Sequence, residues 1–373
     1  IVTTTQPARP DIDPAGYERI FNDGFATGAL DPGKWATALL WGPYHRINNE
    51  QQLYVDTLGM HADFDGYTPF EFTGDTLKIT ATPTDETKQP PVRPTVPSSR
   101  PSFPSTWRPY RWSEYRYGEQ ELNDDGSIRT EGFDPADVDF LSGIITSYDA
   151  FEMTHGYVEM RAKLPPGQGL WPAFWMHPKH YLYEVPEIDV MEFLGHQPDR
   201  LYNTYHFFDV PAGWKLVSSP SFPVYADSGD WTEDFHTFGA AWSPGKITWY
   251  VDGRPTHSIT EADTARNGQN YDVAAQAMYL IANLAVGGNW PGDADETTPF
   301  PAVFEIDYIR AYKKKTADPI DLATDYRIMF RDEFNGSSLD PTKWNSHFLW
   351  GPYLPINGEE QYYVDALQSD SAL

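Results

Sequence analysis

Residues 21–58, FNDGFATGALDPGKWATALLWGPYHRINNEQQLYVDTL, align without gaps to residues 330–367, FRDEFNGSSLDPTKWNSHFLWGPYLPINGEEQYYVDAL, with 21 of 38 positions identical. The offset of 309 residues sets the length of one folding unit. On this reading the 373-residue chain holds one whole unit and the opening of a second, cut at Leu373. The boundaries that follow are a leader at 1–16, a complete unit at 17–312, a linker at 313–328 and a truncated copy at 329–373. Roughly forty residues carrying only the first strands of a unit cannot bury a core of their own. The tail is therefore expected to be loosely held, or docked on the sheet edge of a neighbour.

Within the first unit, polar and apolar residues alternate with a period of two at 76–82, 157–164, 235–243, 246–253 and 304–312, the pattern of half-buried strands. Asp252-Gly253 between two such runs is a hairpin signal. Thirty-three prolines and 28 glycines punctuate the chain, and convincing amphipathic helices are scarce. The fold predicted is an all-β sandwich with long decorated loops, the longest at 83–140 and 207–234. Residues 83–109 are too rich in proline to pair in a sheet.

Composition narrows the function. A formal charge of −27, from 54 acidic and 27 basic residues, argues against nucleic acid or an anionic membrane as partner, because phosphate binding needs a basic face. No run of eighteen apolar residues spans a bilayer. The chain has no cysteine, which removes disulfides, thiolate metal sites and cysteine nucleophiles. It starts at Ile1 and is read as processed or trimmed. Thirteen Trp, 23 Tyr and 21 Phe are enough to fill a core and still supply ring faces for sugars.

The stretch EIDVMEF, 187–193, places three carboxylates in an otherwise apolar strand. Glu187 and Asp189 are two apart and point the same way; Glu192 is five from Glu187 and on a regular strand points the other way. One extra residue, a β-bulge near Val190 or Met191, returns it to the same side. Three acids on one face raise one another's proton affinity, which folding alone has no use for. Retaining glycoside hydrolysis needs that arrangement: an ionised nucleophile and a protonated acid about 5–5.5 Å apart, with a middle acid to hold the nucleophile. A solvated strand face or a metal site remains open on the acids alone.

The surroundings narrow this. NNEQQLYVD (48–56), THGYVEMRAKLPPGQGLWPAFWM (154–176), EIDVME, FHTFGAAWSPGKITWYVDG (235–253) and NLAVGGNWPG followed by FEIDYIRAY (283–312) occur in one order over residues 20–312. That set resembles glycoside hydrolase family 16, in its bulged branch of laminarinases, agarases and carrageenases. The resemblance implies a β-jelly-roll of two curved antiparallel sheets with a concave substrate cleft. It implies Glu187 as nucleophile, Asp189 as its supporting acid and Glu192 as general acid/base. It also implies Trp171 and Trp175 as a sugar-stacking pair, His206 as a histidine near the acid/base, and Asn48 and Glu50 as a polar cluster at the nonreducing side. Trp290 is expected as a cleft-wall aromatic, and Trp112, with Tyr110, Tyr115 and Tyr117, as a loop aromatic available for extra subsites. His155, His177, His180 and His196 read as surface or loop residues.

Two departures from the family pattern stand out. Laminarinases of this branch often carry Arg after the Ser-Gly of LSGIITS, where this chain has Ile144. Family members often bind a structural calcium through an N-terminal DEF acid and the Asp of a near-terminal VDY. Asp307 is present, but Gly24 stands where the truncated copy has Glu333. No cofactor is implied for bond cleavage.

The function expected is an endo-acting retaining β-glycanase on a β-1,3- or mixed-linked β-glucan or a related exopolysaccharide, with a marine galactan as the alternative substrate and a non-catalytic carbohydrate-binding protein as the other class. It is expected to be extracellular or cell-surface, and monomeric unless the tail mediates association.

Overall fold

A computed structural model describes residues 16–39, 48–58, 67–84, 138–178, 186–209, 215–218, 222–226, 229–260, 276–315 and 337–338. The strands in chain order are β1 (Tyr17–Asp23), β2 (Gln52–Tyr54), β3 (Phe70–Thr73), β4 (Thr76–Pro83), β5 (Phe140–Ser142), β6 (Ile144–Thr146), β7 (Gly156–Lys163), β8 (Leu170–Pro178) and β9 (Glu187–Phe193). They continue as β10 (Arg200–Asp209), β11 (Lys215–Ser218), β12 (Phe222–Tyr225), β13 (His236–Ser243), β14 (Lys246–Val251), β15 (Arg254–Thr260), β16 (Met278–Val286) and β17 (Ala302–Lys314). Among the described residues there is no helix.

Two sheets result. The ten-stranded sheet runs β15-β14-β13-β7-β17-β4-β5-β2, with β1 on β17 and β3 on β4. The seven-stranded sheet runs β11-β10-β9-β8-β16-β6, with β12 on β10. All pairings are antiparallel except β2 with β5. The main core lies between the sheets, where Phe174, Met176, Ile188, Val190, Met191 and Phe193 of the smaller sheet join Met160, Phe238, Trp249, Phe304 and Ile309 of the larger. A second cluster lies on the other face of the smaller sheet: Ala173, Trp175, Ile144, Tyr279 and Ile281, with Leu39 and Tyr54.

All five predicted strand runs are strands, because alternation is what a sheet with one buried face demands. Asp252 and Gly253 both take positive φ, 49° and 74°, as a two-residue hairpin turn requires. The long loop expected at 207–234 is corrected: β10 runs to Asp209, and β11 and β12 both pair with β10. Runs of four residues are too short for periodicity to separate from loop. The stretch 85–137, with Trp112 and the loop tyrosines, lies outside the described residues, as does His180. The chain divides into two compact units, Ile1–Lys315 and Thr316–Leu373. β17 extends to Lys314, past the boundary placed at 312. Apart from 337–338 the second unit lies outside the described residues.

His257 on β15 stacks on the Trp249 ring at 4.7 Å and packs against Phe222 at 4.2 Å. Burial pulls its proton affinity down to about 4. The unfolded chain therefore takes a proton below about 6.5 that the folded chain refuses down to about 4, so stability falls as pH drops through that window. His257→Phe is expected to flatten this loss: the gap between wild-type unfolding midpoints at pH 7 and pH 4.5, measured in urea, should narrow in the variant.

Candidate active site

The three acids sit on β9, at the centre of the smaller sheet. Across β8, Asp189 faces Trp175 and Glu192 faces Ala173. Across β10, Glu187, Asp189 and Glu192 face His206, Thr204 and Tyr202. These partners are spaced by two on their own strands, so all three acids share one face. The ladder absorbs the extra residue between Trp175 and Phe174, where β9 steps from Asp189 to Met191 and leaves Val190 unpaired. The register with β10 shifts at the same place, opposite Asn203. Val190 and Met191, consecutive in sequence, both join the main core.

Two side chains not foreseen from the sequence hold this irregularity. The Asn203 amide donates to the Val190 carbonyl at 2.6 Å. Trp249, from the opposite sheet, donates its indole N–H to the Asp189 carbonyl at 2.8 Å. Asn203 is fully buried in a row with Leu201, Tyr205 and Phe207, and that polar residue in an inward apolar series was the signal available in the sequence. Asn203→Leu should leave the Val190 carbonyl without its donor and destabilise the protein by about 1–3 kcal/mol in urea unfolding. Amide hydrogen exchange should quicken across 189–192; unchanged exchange would mean that the bulge does not need Asn203.

The acids differ in environment. Glu192 is 9% exposed, and burial together with the Asp189 charge pushes its carboxyl well above the usual carboxylate range. The Thr204 hydroxyl, 3.5 Å away, and the Trp171 indole N–H act in the opposite direction without cancelling that rise. Glu187 is half-buried. His206 Nε2 lies 3.1 Å from Asp189 and 3.7 Å from Glu187. Burial alone would depress His206, but its hydrogen bond to Asp189 and the charge of Asp189 leave its proton affinity raised. The expectation that His206 attends the acid/base is corrected: it stands opposite Glu187, and Tyr202 and Thr204 are the residues beside Glu192.

Aromatic rings wall this face. Trp171 meets Trp290 edge-on at 5.6 Å, and Trp290 meets Tyr202 at 4.9 Å. Trp171 is on β8 and Tyr202 on β10, so Trp290 reaches across β9 at the Glu192 end. Trp290 is 38% exposed, as a wall residue should be. Trp175 is only 9% exposed, and its indole N–H is held by Asn283 at 2.8 Å. It forms floor more than free platform. His177 is corrected from surface to core: it is fully buried on β8 between Trp175 and Tyr279. Ile144 is also fully buried there, packed with Trp175, so the position where laminarinases often carry Arg is apolar floor in this chain.

Asn48 and Glu50 come together as expected. Asn48, with φ 56°, donates to Glu50 at 3.4 Å, and Gln52 donates at 2.6 Å. Glu50 is 6% exposed, and burial pushes its carboxyl up to about 7 against the pull of these donors.

Asp307 on β17 gives one carboxylate oxygen to the Arg161 guanidinium, at 2.5 Å. Gly24 offers no carboxylate at the other position of the expected calcium pattern, and its neighbour Asp23 accepts from the Trp35 indole at 2.8 Å and the Phe25 amide at 2.9 Å. Among the described residues the one group of three side chains close enough to share a metal is Glu187, Asp189 and His206.

The chain is similar to known proteins. Residues 115–310 match the family profile "Glycosyl hydrolases family 16". A glucan endo-1,3-beta-glucosidase of Niallia circulans is 36% identical over 191 residues, covering 47% of this chain and 27% of the relative. An endo-1,3-1,4-beta-glycanase of Rhizobium meliloti (strain 1021) is 29% identical over 311 residues, covering 82% of this chain and 53% of the relative. The chain thus spans about half or less of the length of these curated relatives. Among solved structures, the laminarinase catalytic domain of Thermotoga maritima MSB8 superposes with a TM-score of 0.56 at 28% identity, over 80% of this chain and 99% of that one. With the profile covering more than half of its 373 residues, the chain belongs to glycosyl hydrolase family 16.

Proposed function

We propose that this chain is a retaining endo-β-glycanase that cuts internal bonds of a β-1,3- or mixed-linked β-glucan. The observation that carries the reading is a pair of glutamates on one sheet face in unlike environments, Glu192 buried with a raised proton affinity and Glu187 half-buried. A carboxyl that keeps its proton at neutral pH is the one able to give it to a leaving oxygen.

In the first step Glu187 attacks the anomeric carbon while Glu192 delivers its proton to the departing sugar oxygen. The glycosidic bond breaks and an ester to Glu187 forms. In the second, Glu192, now ionised, takes a proton from water, whose oxygen displaces Glu187 and restores both acids. Asp189 contributes charge in two directions: it raises the proton affinity of Glu192 and holds His206 beside Glu187. The rings of Trp171, Trp290 and Tyr202 offer faces to the polymer and keep water from Glu192.

The names of the curated relatives favour a glucan over a galactan, and the net charge of −27 weighs against a densely sulfated polymer. Retention of all three acids weighs against a binding-only protein. A polymer substrate supports an extracellular or cell-surface location, with polysaccharide as the partner and no nucleic acid.

Two measurements test the reading. Glu187→Gln should lower kcat for reducing-sugar release from laminarin by at least about a thousandfold with little change in folding; equal activity would remove the nucleophile assignment. Proton NMR of the first products should show the β-anomer before mutarotation, since two displacements restore the starting configuration.

A further inference from the structure

The hydrogen bonds between Glu50 and Trp175 can run in only one direction. An indole N–H only donates, so the Asn283 side chain must turn its oxygen to Trp175, at 2.8 Å, and its amide nitrogen to the Tyr54 hydroxyl, at 2.9 Å. The Tyr54 oxygen therefore accepts from Asn283, which leaves its own hydrogen for Glu50. Gln52 is fixed in the same way: its oxygen accepts the Val286 backbone N–H at 2.8 Å, so its nitrogen faces Glu50, at 2.6 Å. With Asn48 at 3.4 Å, three hydrogens converge on one carboxylate.

This chain reaches the floor on which the acids stand. Asn283 faces Ala173 across β16 and β8, and Ala173 faces Glu192 across β8 and β9, so Asn283 lies in the cross-strand row of Glu192, roughly 10 Å away. Trp175, where the chain ends, is the partner of Asp189. Among the described residues no Lys, Arg or His pairs with Glu50. Tyr54 is the titratable group in contact with it; burial and the Glu50 charge hold Tyr54 well above its ordinary range, so it stays a phenol. The internal repeat keeps the set: Asn48, Glu50, Gln52 and Tyr54 recur as Asn357, Glu359, Gln361 and Tyr363, whereas the intervening Asn49, Gln51 and Leu53 become Gly358, Glu360 and Tyr362.

We infer that Glu50 is a positioning residue whose charge state sets how tightly the cleft holds its glycan, through a one-way hydrogen-bond chain that ends on Trp175; this rests on the glycanase reading above. Only the ionised carboxylate accepts all three hydrogens. A fourth hydrogen, placed on Glu50 itself, forces one donor away. Of the three donors the Tyr54 hydroxyl is the one also bonded to Asn283, and as its hold on Glu50 weakens the Tyr54–Asn283–Trp175 links loosen with it. Because Glu50 takes its proton at about 7, the effect falls in the neutral range. Glycan binding should weaken as pH falls through that value, while the bond-breaking pair, on β9, is left unchanged.

The experiment is kcat and KM for laminarin from pH 5.5 to 8.5 in the wild type, Glu50→Gln and Tyr54→Phe. In the wild type KM should rise about tenfold below pH 7 with kcat little affected. In Glu50→Gln, whose amide imitates and exaggerates the protonated state, KM should be high and flat across the range. In Tyr54→Phe the hydroxyl that links Glu50 to Asn283 is gone, so the KM inflection should disappear, whereas a merely structural role would change KM at every pH and leave the inflection in place. An inflection that survives in Glu50→Gln, or a loss confined to kcat, overturns the inference. Absence of any hydrolysis by the wild type would instead sink the glycanase reading and is visible separately.

Discussion

One irregular backbone step in β9 decides what the concave face can do. A strand reverses the side of its side chains at every residue, so Glu187 and Glu192, five apart, would serve opposite faces of a regular ladder. The unpaired Val190 cancels that reversal. The inward-facing residues remain apolar on both sides of the bulge, and the acids remain outward. The step is anchored from both sides, by Asn203 on the neighbouring strand and by Trp249 from the opposite sheet. The sandwich core is thus what fixes the placement of the three acids, and the floor on which they stand is the back of that core.

Once the acids share a face, their environments separate them. Glu192 lies at the end where Trp171, Trp290 and Tyr202 meet, and is desolvated beside the charge of Asp189. Glu187 lies at the other end, opposite His206. On the proposed reading one strand therefore offers both a proton donor and a nucleophile. The cluster around Glu50 follows the same rule in the opposite sense. The partners of Glu50 among the described residues are neutral, and burial raises its proton affinity against their pull.

Much of this was legible in the sequence where the signal is periodic. Alternation found the strands, Asp252-Gly253 found the hairpin, and an odd spacing between acids called for a bulge at Val190 or Met191. What escaped had no period to betray it. β11 and β12 are four residues each and were read as loop. His177 looks like a residue at a loop edge until its strand is known to be central. His206 was expected beside the acid/base because the resemblance supplied its neighbourhood and not its register; the ladder puts it opposite Glu187. Asn203 could have been found, since it interrupts the inward series Leu201, Tyr205, Phe207. Trp249 could not, because its hydrogen bond crosses between sheets and joins residues sixty positions apart.

If shared orientation is the requirement, the number of residues between Asp189 and Glu192 matters only through its parity and the relief of the ladder. Deleting Val190 turns EIDVMEF into EIDMEF, which on a regular strand still sets all three acids on one face, whereas deleting Val190 and Met191 together leaves EIDEF, which on a regular strand turns the last acid toward the core. The decisive measurement is laminarin hydrolysis by the single- and double-deletion variants, each first checked by melting to be folded. The single deletion should retain activity within about a hundredfold of the wild type and the double deletion should abolish it. A folded single-deletion variant as inactive as the double deletion would contradict the account.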